Sequence, residues 1–372
     1  MNLRLRAKKY TKVLNCANTI WSYKYIIDLW KRKHSVGGLV MKFKKMISLV
    51  ASTVLCVGML AGCGSTSSST GSQSTSSKSD KKVIGFAQVG AESGWRTAET
   101  DSIKSIPTLD PNFDLKFSDG QQKQENQIKA IRSFIAQKVD LIALDPVVET
   151  GWDTVLQEAK DAKIPVVIVD RNVTVSDDSL YKCFLGSDME EEGKKAAQIV
   201  IDQFGKDAKL NIAELQGTVG STAMVGRQKG FNETIKDCPN YKIVKSQTGD
   251  FTRAKGKEVM EAFLKSDGDN INVLWSHNDD MAVGAIQAIE EYGKQPGKDI
   301  FIVSCDGIKD MFQLMADGKS NAIVECNPLL GPQLLEVSKD ILDGKDVERS
   351  IKSKESQFLQ KDAATELPNR QY

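Results

Sequence analysis

Histidine is almost missing from this chain: there are two in 372 residues, and His277 is the only one after position 34. A His-based metal site therefore has no second ligand in the body of the protein. No G-x-S-x-G nucleophile elbow occurs. The glycines of "GFAQVGAESG" do not fit G-x-G-x-x-G, and no P-loop is present. Cysteine is also sparse. Cys16, Cys56, Cys63, Cys183, Cys238, Cys305 and Cys326 show no close metal-type spacing, which removes a zinc ribbon or finger. Cys305 and Cys326 fall within apolar strands and are expected as buried thiols, with a disulfide left open. The body also lacks positive charge. The first 62 residues hold twelve Lys/Arg against a single Asp, +11, so the rest of the chain carries −10 of the overall +1. An acidic body does not suit nucleic acid or anionic lipid as its main partner.

Long apolar runs are absent too. From Met41 the sequence reads "MKFKKMISLVASTVLCVGMLAGC": a short basic region, an apolar segment too short to span a bilayer comfortably, then small residues. That is the pattern of an export signal, residues 41–62. Its end, Leu60-Ala61-Gly62-Cys63, resembles the lipobox of bacterial lipoproteins, which implies lipidation of Cys63. Residues 1–40 lie upstream of this complete signal and are read as an extension from a start codon placed too early. An amphipathic membrane-surface segment is the alternative. Residues 63–82 are rich in serine, offer nothing to a core and read as a flexible tether.

From Val83 onward, apolar strands alternate with amphipathic helices, beginning "KVIGFAQVG", "WRTAETDSIKSIPTL", "FDLKFSDG", "QENQIKAIRSFIAQK". Such alternation predicts an α/β fold with parallel sheets covered on both faces, and the length predicts two doubly wound lobes. In open α/β sheets the ligand crevice lies outside the carboxyl ends of the strands, so the residues at the strand tips are the candidates. They are Trp95 and Arg96; Asp119, Gln121 and Gln122; Asp170 and Arg171; Asp250 and Phe251; Asn278; and Asp306.

Asp, Asn and Arg satisfy paired hydroxyls with two hydrogen bonds each, and Trp or Phe covers a flat C–H face, which together describe a carbohydrate site. Asp170-Arg171 alone is as well explained by an ion pair locking a loop; its company at the other tips tilts the reading. A paired-carboxylate hydrolase built on Asp170 and Asp306 is the enzymatic alternative. His277 is expected to be packed or to support a loop.

The tips in order, "SGWRT", "DGQQKQENQIKAIRSFIAQKVDLIALDPV", "IPVVIVDR", "LQGTVGSTAMVGRQKGF", "GDFTRAKGKEVMEAFLK", "HNDDMAVGAIQAI" and "VSCDGIKD", resemble the type I periplasmic sugar-binding proteins of ABC importers. The galactofuranose-binding branch is the nearest, through "ESGWRTAET" and "DGQQKQENQIKA". The resemblance covers about residues 82–372 and implies two lobes joined by three crossovers: residues 83–186 with 327–355, and 187–326 with 356–372. It implies ligand contacts from Trp95, Arg96, Asp170, Arg171, Arg227, Phe251, Asn278 and Asp306, with Gln121, Glu325 and Asn327 held loosely. Arg96 follows the galactofuranose-type pattern. It further implies a monosaccharide ligand, membrane permease subunits as partners, no cofactor, no catalysis, a monomer, and a position outside the cytoplasmic membrane. A sugar sensor for a membrane kinase or chemoreceptor would use the same cleft. A repressor of this architecture would carry a helix-turn-helix where the signal and tether stand.

Overall fold

The computed structural model describes residues 81–372. The start extension, the signal segment, Cys63 and the tether up to residue 80 lie outside the described residues. The first lobe begins β1 (Lys82–Gln88), α1 (Gly94–Lys104), β2 (Phe113–Asp119), α2 (Gln124–Ala136), β3 (Leu141–Leu144), α3 (Asp153–Asp161), β4 (Val166–Val169) and β5 (Cys183–Gly186). The second holds α4 (Met189–Phe204), β6 (Leu210–Gln216), α5 (Thr222–Ile235), β7 (Tyr241–Thr248), α6 (Arg253–Asp267), β8 (Val273–Ser276), α7 (Asp279–Tyr292), β9 (Phe301–Asp306), α8 (Lys309–Ala316) and β10 (Ala322–Glu325). The chain then returns to the first lobe for α9 (Gly331–Leu342) and β11 (Ser350–Lys352), and finally to the second for β12 (Gln357–Leu359).

The sheets run β11-β5-β4-β3-β1-β2 and β12-β10-β9-β8-β6-β7, parallel throughout except for β12. Both have the doubly wound order, which reverses at β1 and at β6. The central strands β3, β4 and β8 are four residues long and buried at every position, because helices cover both faces of each sheet. The edge strands β2 and β7 are partly exposed. Three strands escaped the sequence pattern: β5, β11 and β12. β11 and β12 have only three residues each and lie at the sheet edges, too short to show a period.

Three crossovers join the lobes, and direct contacts hold them together. The Gly94 N–H donates to Asp280 Oδ2 at 2.8 Å, the Glu149 N–H to the Gly220 carbonyl at 2.9 Å, and the Asn172 N–H to Thr222 Oγ1 at 2.9 Å. Trp95, at the start of α1 in the first lobe, is buried in a cluster made largely of second-lobe residues, among them Leu215, Phe251 and Met281. Its burial contributes up to about 4 kcal/mol, against roughly 1 kcal/mol for each hydrogen bond, so the indole dominates the contact. Asp280→Asn keeps the side-chain volume but weakens both the Gly94 bond and the Asp280–Arg253 pair at 2.9 Å. We expect it to lower ligand affinity about fivefold by disfavouring closure, measurable by calorimetry together with a larger radius of gyration in X-ray scattering.

Candidate functional site

The carboxyl ends of both sheets face a common cavity between the lobes. Trp95, Arg96, Asp170 and Arg171 line it from the first lobe; Arg227, Phe251, Asn278 and Asp306 line it from the second. The chain twists to aim several of them. Asp170, Phe251 and Asp306 have φ of 57°, 61° and 125°, values that non-glycine residues adopt at a cost of roughly 1–3 kcal/mol each. Phe251 fits only because residue 217 has no side chain: a Cβ there would lie 1.8 Å from the Phe251 ring. Gly217→Ala must therefore expel the ring from the cavity, and we expect it to abolish ligand-dependent heat in calorimetry while the far-ultraviolet circular dichroism stays unchanged.

Arg96 is the electrostatic centre of the first lobe. It is 2% exposed and donates to four carboxylates: Glu92 at 3.0 Å, Glu99 at 2.7 Å, Asp145 at 2.7 Å and Asp170 at 2.8 Å. Burial opposes its charge, but the surrounding carboxylates, Asp145 first, outweigh it and hold Arg96 more firmly protonated than a free guanidinium. Burial also pushes Asp145 and Glu99 above the usual carboxylate range, against the pull of Arg96. Arg96 thus acts mainly through Asp170, whose carboxylate it fixes at the cavity wall.

Arg171 is different. Its Nη2 donates to Glu92 at 3.0 Å, while Nε and Nη1 are buried with no hydrogen-bond partner. The guanidinium carbon stands 5.1 Å from the Phe251 ring centroid, a cation–π contact that bridges the lobes. Glu92 Oε2 is likewise buried and unpaired. Unpaired buried donors and acceptors cost about 1–3 kcal/mol each, so these atoms call for a polar ligand.

In the second lobe Arg227 donates to Glu192 at 2.6 Å and to the His277 carbonyl at 2.5 Å, and its Nη2 stands 3.6 Å from Asp306. Burial raises Asp306 well above the usual carboxylate range, with Arg227 opposing. Asn278 caps α7, accepting from the Met281 N–H at 3.0 Å, and donates to the Phe251 carbonyl at 3.1 Å. It lines the cavity while much of its amide is committed to holding the loop. His277 is fully buried, lies tilted against Trp275 and reaches Glu214 at 3.2 Å, a supporting role.

Three expectations need correction. Gln121 is exposed in a loop where its N–H bonds to Asp119, away from the cavity. Glu325 pairs with Arg370 at 2.7 Å and accepts from the Ser356 N–H at 3.0 Å, which ties down the C-terminal tail. Asn327 caps a turn through the Leu329 N–H at 2.9 Å. Neither residue lines the cavity. Glu92, Ser93 and Met189 line it without having been singled out in the sequence. For Glu92 a signal existed: it stands at the tip of β1 and four residues before Arg96. Cys305 and Cys326 are free, buried thiols, and Cys326 also touches the cavity.

Two doubly wound lobes, three crossovers and a polar, aromatic-walled cavity at the carboxyl strand ends define a two-lobed ligand-binding protein that closes around a small solute. The chain matches the periplasmic binding protein domain family over residues 84–346. It is 50% identical to the galactofuranose-binding protein YtfQ of Escherichia coli K12 over 292 residues, covering 77% of this chain and 91% of the relative. Among solved structures it resembles the periplasmic binding component of the arabinose ABC transporter from Shewanella sp. ANA-3, bound to α- and β-L-arabinofuranose, with 54% identity, TM-score 0.75, and 78% and 96% of the two chains covered. A Mycobacterium smegmatis protein in complex with β-D-fucofuranose gives 53% identity, TM-score 0.76 and coverage of 78% and 95%. The chain belongs to the periplasmic binding proteins, in the sugar-binding branch that serves ABC importers, and works outside the cytoplasm.

Proposed function

We propose that the cavity captures a furanose monosaccharide, which the closed protein delivers to the permease of an ABC importer. The observation that carries this reading is the convergence of unpaired buried atoms, Arg171 Nε and Nη1 and Glu92 Oε2, on a space walled by Trp95 and Phe251. Hydroxyls satisfy the former and the C–H face of a sugar ring covers the latter. Asp170 and Asp306 supply acceptors from opposite lobes, so a sugar bridging them stabilises the closed form over the open one. Each carboxylate at the wall has an arginine within reach, Glu92 and Asp170 on Arg96 and Asp306 beside Arg227, which suits a ligand that brings no charge of its own. The relatives bound to furanoses support the ring form. No bond is made or broken in this cycle.

Calorimetry against L-arabinose, D-galactose, D-fucose, D-ribose and D-fructose tests the reading. We expect binding by at least one of the sugars that populate a furanose form in water; heat from none of the five would sink it. The protein acts as a monomer, with lipid on Cys63 holding it at the outer face of the cytoplasmic membrane and residues 63–82 providing reach. For this anchor, Cys63→Ala is expected to move the protein from the membrane fraction to the soluble fraction on cell fractionation.

A further inference from the structure

One side chain ties the three crossovers together. Glu355, on the third, accepts at Oε1 from the Asn327 N–H on the second at 3.1 Å, and from Ser187 Oγ on the first. Lys352, the last residue of β11 just before the third crossover, reaches the Ser187 carbonyl at 3.4 Å and lies 3.8 Å from Asp188. The Glu355 carboxyl turns toward Glu192 on α4; an oxygen of each and Cys326 Sγ all lie within 4.8 Å of one another. Glu192 is 1% exposed. Its Oε2 takes Arg227 Nε at 2.6 Å, while Oε1 is buried with no nitrogen or oxygen donor, only the weak Cys326 thiol bearing on the carboxylate.

Two carboxylates served by a single guanidinium leave negative charge uncompensated in a site with little water, and the orphaned oxygen still needs a donor. A protonated Glu355 answers both needs. We propose that Glu355 is a positioning residue of the ligand site: it carries a proton, donates it to the orphaned Glu192 oxygen, and so links the three crossovers to the carboxylate that aims Arg227 into the cavity.

Arg227 reaches the pair from α5, Cys326 from the second crossover, Cys305 and Asp306 from β9 and the Asp170 charge from the tip of β4, while Asp188 and Lys352 flank Ser187. Burial and then the Glu192 charge push Glu355 up to about 8, against the Ser187 and Asn327 bonds and the Arg227 charge. The sign follows from linkage. Below about pH 8 the proton is in place and Glu192 holds Arg227. Above it, Glu355 becomes a carboxylate, repels Glu192 and loosens that hold, so ligand affinity falls as pH rises. This dependence rests on reading the cavity as a sugar site; the proton on Glu355 does not.

Glu355→Gln tests the idea because the amide mimics the protonated acid, donating from Nε2 while Oε1 still accepts from Asn327 and Ser187. Calorimetry with L-arabinose, or whichever sugar of the panel binds, is run from pH 7 to 9.5. We expect the wild-type Kd to rise about fivefold over that range. Glu355→Gln is expected to match wild type at pH 7 and to stay flat, while Glu355→Ala binds more weakly throughout. A Glu355→Gln variant with the wild-type slope would overturn the proposal. Carboxyl 13C titration of the ligand-free protein, assigned by difference from Glu355→Gln, decides independently of any sugar. A Glu355 resonance titrating near pH 8 supports the proposal, and one titrating below about pH 6 overturns it. If no sugar binds at all, the reading of the cavity falls and the 13C result alone decides this one.

Discussion

Arg96→Met is expected to cost the protein more stability than any other single change in the cavity wall. The substitution removes the guanidinium from among Glu92, Glu99, Asp145 and Asp170 and leaves their charge buried. Breaking one buried pair costs about 3–5 kcal/mol, so we expect Tm to fall by about 10 °C at pH 7.5. The loss should shrink on acidification. Burial already holds Glu99 and Asp145 above the carboxylate range, with Arg96 pulling them down; without Arg96 they rise further. A carboxyl whose folded pKa exceeds its unfolded value favours the folded state as it takes up a proton, so the variant regains stability between pH 7.5 and 5.5. Scanning calorimetry at the two pH values checks both statements, and a Tm within about 2 °C of wild type at pH 7.5 would refute them.

Arg171→Ala should do the reverse, sparing the fold and removing the ligand. Glu92 keeps its bond to Arg96, so no carboxylate is stranded. What disappears is the pair of unpartnered donors at Nε and Nη1 and the cation–π bridge to Phe251. Charge-assisted hydrogen bonds of about 1.5–3 kcal/mol each predict a loss of affinity of roughly 10²–10⁴-fold with little change in Tm. Arg171→Lys should recover only part of it, because an ammonium cannot present two donors in a fixed fork. Equal affinity of Arg171→Ala and wild type in calorimetry would remove Arg171 from the site. The two arginines thus separate: neighbours in space with the same chemistry, one serving the lobe and one the ligand.

That separation was invisible in the sequence, whereas the site's location was legible. Apolar strands ending in Asp170-Arg171, Asp250-Phe251, Asn278 and Asp306 place those residues at carboxyl strand ends, and the α/β rule turns such ends into a cavity. Pairing is another matter. The partners of Arg96 come from the loop after β1, from α1 and from the ends of β3 and β4, and no local pattern joins them. Glu192 sits in the run Glu190-Glu191-Glu192, which reads as a solvated helix face; Glu191 is exposed and Glu192 is buried. Which of three consecutive acids turns inward depends on how α4 packs against Arg227 from α5. Glu325 and Asn327 misled for a related reason: they lie beside a crossover, close to the cavity in sequence, yet are taken up by the tail and a turn. Glu355 gave no signal, since its meaning lies in touching two other crossovers.

The last two strands have a consequence for how the protein is made. β11 completes the first sheet and β12 the second, and both lie after residue 349. A chain emerging from its N-terminus can build most of each lobe, but it cannot close the edge of either sheet until the segment after residue 349 has been synthesised. Domains that are continuous in sequence fold as they appear; here both sheets wait for the segment after residue 349. Each sheet therefore depends on a strand that follows the main segments of both lobes, so neither lobe is complete as a continuous stretch of sequence.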